Sequence, residues 1–454
     1  MEQVSNEMET MPIKKLAIKI SIPMVISMIS ISLYGIVDTM FISKINSDAL
    51  TVASLSIPIQ SIITAIALGT GIGVNSILAK TLGEKNIEKS KSIIKHGIIL
   101  TFFSWIIILI SCLLGLNPFF KIFTKNEVIQ KLGHNYLSIV GAISIGSLYQ
   151  ILFEKILEAY GKTKASMIVQ FSGAIINLIL DPILIFGYFN MPALGIKGAA
   201  ISTVIGQFTG MFIGISIILK EKIISVKNIF NVKFEKDIIK DIYKVGFPTM
   251  ILEAVTSFIT LILNKILSEF SEDAISVWGI YCQLQKFVII IVYGFNYGMI
   301  PIIAYNWGAK NKKRIEESIS FFLKIAVGVT LVGQMIFLLL TKQIIQIYDV
   351  SEELLKIAIP AFRILSLGFV FAGISLVFSA TFQAFGNGVY SLIVNMSRQL
   401  IFSLPLILIL KNILGINGIW TSFVLAEFIT MIIAIILHKR NKRLVINKIS
   451  MKFI

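Results

Sequence analysis

Charged side chains are scarce in this 454-residue sequence, making up only 15% of it. Set against 56% hydrophobic residues and a mean hydropathy of +0.86, that is too little polarity for a water-soluble globule, and a soluble fold is excluded. Cysteine is nearly missing as well. Cys112 and Cys282 both fall inside apolar stretches, which leaves no disulfide framework and makes each a small buried hydrophobe. His96, His134 and His438 lie at the edges of apolar stretches or outside them, so a His-rich metal centre in the membrane lacks ligands. The run Gly69-Thr70-Gly71-Ile72-Gly73 has no Gly-Lys-Ser/Thr continuation and sits in an apolar stretch, where close helix packing or a bend explains it better than phosphate binding. No cleavable signal peptide is expected, because the opening residues are acidic and polar and the first apolar block outruns an h-region.

What the sequence has is long apolar blocks. About 20 such residues in helical form match the roughly 30 Å hydrocarbon layer. The blocks fall at 16–44, 51–80, 96–116, 134–158, 165–189 and 194–220, then at 243–268, 274–305, 319–342, 357–384, 389–410 and 414–438. The reading is an all-α membrane protein of about twelve transmembrane helices. Its parts are an N-lobe over 1–220, an amphipathic connector over 221–242 and a C-lobe over 243–454 with a basic tail. The net charge of +16 does not point to nucleic acid, because the cations gather on one membrane side. Lys85, Lys89 and Lys91 share one loop, Lys310, Lys312 and Arg314 another, and Lys439, Arg440 and Lys442 the tail. This positive-inside pattern places both termini in the cytoplasm.

The sequence also repeats itself. Pro23 and Pro248 differ by 248 − 23 = 225, and the same offset pairs Gly69 with Gly294, Gly73 with Gly298 and Ala159-Tyr160-Gly161 with Ala384-Phe385-Gly386. Further along, Leu194-Gly195-Ile196 matches Leu414-Gly415-Ile416 at 415 − 195 = 220, so the second copy is five residues shorter in that loop. Each copy holds an even number of spans. The two must therefore be parallel six-helix repeats around a central cavity, an arrangement suited to alternating access.

The segments Tyr34-Gly35-Ile36-Val37-Asp38-Thr39, Asn177-Leu178-Ile179-Leu180-Asp181-Pro182, Leu194-Gly195-Ile196-Lys197-Gly198 and Tyr305-Asn306-Trp307-Gly308-Ala309 together resemble the multidrug and toxic compound extrusion (MATE) family. Asp38 with Asp181 looks most like its DinF-type branch. The resemblance implies a cofactor-free antiporter of a bacterial or archaeal cell membrane, acting as a monomer, that expels organic cations in exchange for H⁺ or Na⁺.

Ionised carboxylates in hydrocarbon cost at least ~2.5 to 3.5 kcal/mol, so each needs a partner, a wet cavity or a proton. Asp38 and Asp181 come out level in the first half, with Tyr34, Asn177 and Thr203 close in depth, and no Lys or Arg of that half reaches them. They can share a proton, Na⁺ or a cationic substrate, and the oxygens of Asn177 and Thr203 can complete a cage for Na⁺ with the two acids. The alternative is that they only hydrogen-bond neighbouring helices. The resemblance assigns these positions to the family's N-lobe cation site. In the second half the matching positions are Leu263 and Leu406, so coupling is asymmetric. Glu253, Lys286, Arg398 and Glu427 lie near mid-membrane there, as structural pairs Glu253 with Lys286 and Arg398 with Glu427; Glu253 is also a secondary coupling or substrate candidate. Tyr297 and Gln283 are substrate-cavity candidates, and Trp278 is either a cavity wall or an interfacial aromatic. Glu154 and Glu158, beside Lys155 and Lys162 at a helix end, read as a solvated interfacial cluster.

Among functions, an exporter of amphipathic cations fits a carboxylate-bearing cavity with aromatic walls. A flippase for lipid-linked precursors from the same broader superfamily would need several cavity cations for phosphate. A membrane-embedded enzyme lacks the residues for a metal constellation.

Overall fold

The computed structural model describes residues 7–224, 234–348 and 351–442, with the side chains of 253, 254, 256–258 and 261 excepted. The regular structure among them is helical. The first half comprises α1 (Ile13–Ser43), α2 (Ser47–Gly83), α3 (Ile87–Phe123), α4 (Glu127–Ala159), α5 (Thr163–Phe186) and α6 (Ile196–Lys220). The second comprises α7 (Lys236–Ser268), α8 (Glu272–Gly308), α9 (Lys312–Leu339), α10 (Glu352–Ser366 with Phe369–Ala384), α11 (Gly388–Leu414) and α12 (Ile416–Asn441). Among the described residues ten helices are long and apolar enough to cross a membrane, and the two parts of α10, bent by 45°, make an eleventh span. The remaining helix, α7, holds the place in the second half that α1 holds in the first.

One boundary departs from the sequence reading. α7 starts at Lys236 instead of near 243, because Ile238, Ile242 and Val245 recur on one buried face while Lys240 and Asp241 stay exposed. Of the amphipathic connector expected over 221–242, residues 225–233 lie outside the described residues, and the part from Lys236 belongs to α7. α11 also carries a π-helical turn at Ser397–Ile401.

The repeat persists in the chemistry of the helix ends. Orphan N–H groups at a helix start need acceptors. Asn46 caps α2 at 2.7 Å and Ser271 caps α8 at 3.1 Å. Asn86 and Asn311 cap α3 and α9, and Asn126 and Ser351 cap α4 and α10. Each pair keeps the 225-residue offset. The left-handed residues follow it too, with φ of 58° at Lys85 and 56° at Lys310, and 73° at Gly161 and 70° at Gly386.

The halves meet through glycine at the end of the molecule where α2 and α8 finish. A Cβ on Gly83 would overlap the carbonyl of Tyr305, and a Cβ on Gly308 would overlap that of Lys80. Gly69 packs in the same way against Gly246 and Met250 of α7, and its repeat mate Gly294 against Val25 of α1. Ser76 donates to the Gln383 carbonyl at 2.6 Å, and Arg314 Nη2 to that of Met8 at 2.8 Å. At the opposite end the lobes part around a cavity of about 740 Å³ lined by α1, Leu50 of α2 and the first half of α8. Two lobes are therefore clamped at the basic end and open at the other.

Glycine is required where backbones touch, and overpacking such a contact costs roughly 1–3 kcal/mol. Gly308→Ala is expected to lower the melting temperature of the purified protein, while Gly115→Ala, which meets nothing within 4 Å, leaves it unchanged or raised. Thermal unfolding followed by size-exclusion chromatography checks both; equal melting temperatures for Gly308→Ala and the unaltered protein would refute the packing argument.

Candidate cation and substrate site

α1 packs against α5, and α5 against α6 through the Gly173–Gly206 backbone contact. This brings the expected residues together. Asp181 is fully buried, Asn177 and Thr203 nearly so, and the Asp38 carboxyl comes within hydrogen-bonding reach of Asp181. Asn177 Nδ2 donates to Thr203 Oγ1 at 3.2 Å and to Asp181 Oδ1 at 3.4 Å. Tyr34 lines the same cavity as Asn177 and Thr203. Two carboxyls this close cannot both hold bare charge, so a proton or another cation must lie between or beside them.

Sequence reasoning missed Ser202, which donates to Asp181 Oδ1. It sits next to Thr203, and helical spacing alone does not tell which of two neighbouring hydroxyls faces the acid. Gln207, one turn further along α6, was missed too. Among the described residues four oxygens here have no donor: Asp38 Oδ1, Asn177 Oδ1, Asp181 Oδ2 and Gln207 Oε1. All are acceptors. Buried acceptors left over in this way suit a hard cation or a proton.

The site opens into a cavity of about 340 Å³ lined by all the N-lobe spans except α3, with Tyr297 of α8 reaching in from the C-lobe. Glu154, Lys155 and Glu158 line it as well, which corrects the interfacial reading. Their exposures are 8%, 5% and 3%. α4 continues to Ala159, and Met8 packs under the turn at Gly161, so the segment around Met8 closes over what a linear reading leaves at the surface. Lys155 Nζ lies 3.0 and 2.8 Å from the Glu158 oxygens and 4.1 Å from the Tyr297 ring centre. Glu154 accepts from Gln150 Nε2 at 3.0 Å.

In the C-lobe, Arg398 Nε lies 2.7 Å from Glu427 Oε1. Gln283 lines the cavity between the lobes. The side chain of Glu253 lies outside the described residues. Lys286 lines both the open cavity and a second one inside the C-lobe, and its expected pairing with Glu253 falls on a side chain outside the described residues. Trp278 stacks on Phe423 at 4.8 Å and lines that inner cavity.

The fold and the cavity between its lobes define a multi-pass membrane transporter of two pseudo-symmetric six-helix halves. The profile of the MatE family matches the chain twice, over 23–183 and 248–409, and the chain belongs to that family. It is similar to the multidrug export protein MepA of Staphylococcus haemolyticus, 26% identical over 446 residues covering 98% of this chain and 97% of the relative. It is also similar to an FAD transporter of Shewanella oneidensis, 26% identical over 90% of each chain. Among solved structures, a MATE protein in the bent conformation shares the fold at a TM-score of 0.91 and 22% identity over 98% of this chain and 99% of that one. An outward-facing multidrug resistance MATE transporter matches at 0.89 and 23% over 98% of each. These relatives and neighbours are transporters.

Removing one partner of a buried ion pair leaves an uncompensated charge, at a cost of about 3–5 kcal/mol. Lys155→Met is expected to cut the yield of folded protein sharply, and adding Glu158→Gln to restore most of it. Detergent-extract chromatography measures both; a full yield from Lys155→Met alone would return the cluster to the surface.

Proposed function

We propose that the protein is a secondary antiporter that exports amphipathic, mostly cationic organic compounds in exchange for H⁺ or Na⁺ by alternating access. The observation that carries this is the pair Asp38 and Asp181, ringed by orphan acceptor oxygens and without a cationic partner among the described residues. Such a site must bind a cation, and a cationic drug and a small coupling ion compete for the same carboxylates.

In this reading Asp38, Asp181, Asn177 and Thr203 hold the ion, while Tyr34 and Ser202 orient them. Drug occupies the adjoining cavity against Tyr297. The basic end is cytoplasmic, the open cavity faces outward, and the chain works as a monomer in a bacterial plasma membrane. Loading the outward-facing carboxylates with H⁺ or Na⁺ displaces the drug and permits return. The multidrug export relatives support the substrate class. A precursor flippase gains nothing from an acceptor-rich site, since phosphate needs donors.

Asp38→Asn keeps the shape of the side chain and removes the charge that changes on exchange. It is expected to abolish gradient-driven dye efflux from proteoliposomes while the purified variant still binds dye. Comparing an imposed Na⁺ gradient with an imposed pH gradient identifies the ion. Concentrative efflux by the variant at the unaltered rate would overturn the mechanism.

A further inference from the structure

The C-lobe holds a cavity of about 490 Å³ that the cation site does not use. It is the repeat mate of the N-lobe cavity. At the 225-residue offset Tyr34 becomes Ile259, Ser147 becomes Ala372 and Gly173 becomes Arg398; at 220, Thr203 becomes Phe423 and Gln207 becomes Glu427. All five C-lobe residues line the C-lobe cavity, and all five mates line the N-lobe one. Two cavities in equivalent places thus carry different chemistry.

The N-lobe copy is hydroxyl- and acceptor-rich. Its C-lobe mate has lost those hydroxyls and gained a guanidinium, a carboxylate and flat aromatic surface. Where Gly173 lets α5 touch α6, Arg398 needs room, and the π-helical turn that carries it provides that room. Such turns are frequent at functional sites. Arg398 and Glu427 satisfy one another through Nε and Oε1, yet Arg398 Nη1 and Glu427 Oε2 have no partner among the described residues. One orphan donor therefore stands beside one orphan acceptor, with Trp278 stacked on Phe423 forming the adjacent wall. Buried polar groups left unmade are costly, and a ligand that completes them recovers that cost.

We infer that the C-lobe cavity is a second ligand site, selective for planar aromatic molecules that carry a carboxylate together with an N–H donor. The carboxylate bonds Arg398, the N–H bonds Glu427, and the ring system lies against Trp278 and Phe423. The site takes zwitterions, where the N-lobe carboxylates take cations.

Rhodamine 110 and its methyl ester rhodamine 123 share one amino-xanthene and differ in the free carboxylate, which makes them the probes. Fluorescence polarisation on the purified full-length protein in nanodiscs reads both affinities. The double exchange Arg398→Gln with Glu427→Gln, which strands no charge, is expected to weaken rhodamine 110 by about tenfold or more and rhodamine 123 by less than about threefold. Ala372→Phe fills the cavity while leaving both members of the pair in the sequence and should give the same selectivity, so the test survives if the double variant does not fold. Rhodamine 110 binding that is undetectable in the unaltered protein, unchanged in either folded variant, or lost in step with rhodamine 123 would overturn the assignment. Asp38→Asn should leave rhodamine 110 binding intact, so a failure of the coupling mechanism and a failure of this site are read separately.

Discussion

Backbone contact between the lobes at Gly83 and Gly308 is the constraint on which the rest of the molecule rests. Lipid offers apolar helices no reason to separate from it, so helix association in a bilayer depends on close packing, and small residues permit the closest. Here the contact is made twice by repeat mates, each pressed on the carbonyl that the other's helix presents. Clamping one end allows the other to part. The cavity between α1 and α8 and the two cavities within the lobes all follow from that geometry.

The same interface explains how a buried acid pair is tolerated. α1 belongs to the first half but also packs against α8 of the second, so it holds Asp38 beside α5 on one side and faces the opening on the other. Asp181 is the more deeply buried of the two and is fixed by Ser202 and Asn177. Asp38 is only partly buried, which leaves it the member of the pair more open to exchange.

Much of this was legible in the residues. Long apolar blocks gave nearly all the spans, and the 225-residue offset already paired Gly69 with Gly294, Gly73 with Gly298 and Gly161 with Gly386; the caps proved to keep the same offset. Asp38, Asp181, Asn177 and Thr203 could be grouped because helical depth is linear in residue number. Glu154 and Glu158 could not be placed, since depth along one helix says nothing about a distant segment folding over its end, as Met8 does. Tyr297 and Trp278, both read from the sequence as candidate cavity-wall residues, line the N-lobe and C-lobe cavities.

The two-sided clamp has a consequence for the history of the chain. Gly69, Gly73 and Gly83 meet α7 and α8, and Gly294, Gly298 and Gly308 meet α1 and α2, so every spacing between the start of a half and its clamp is read by the other half. An insertion or deletion there in one copy would move its glycines off the opposing carbonyls and set side chains against backbone. The five-residue difference between the copies lies instead just ahead of Gly195 and Gly415, in a loop beyond the clamp. Length has been free to drift after duplication only where the other lobe does not measure it.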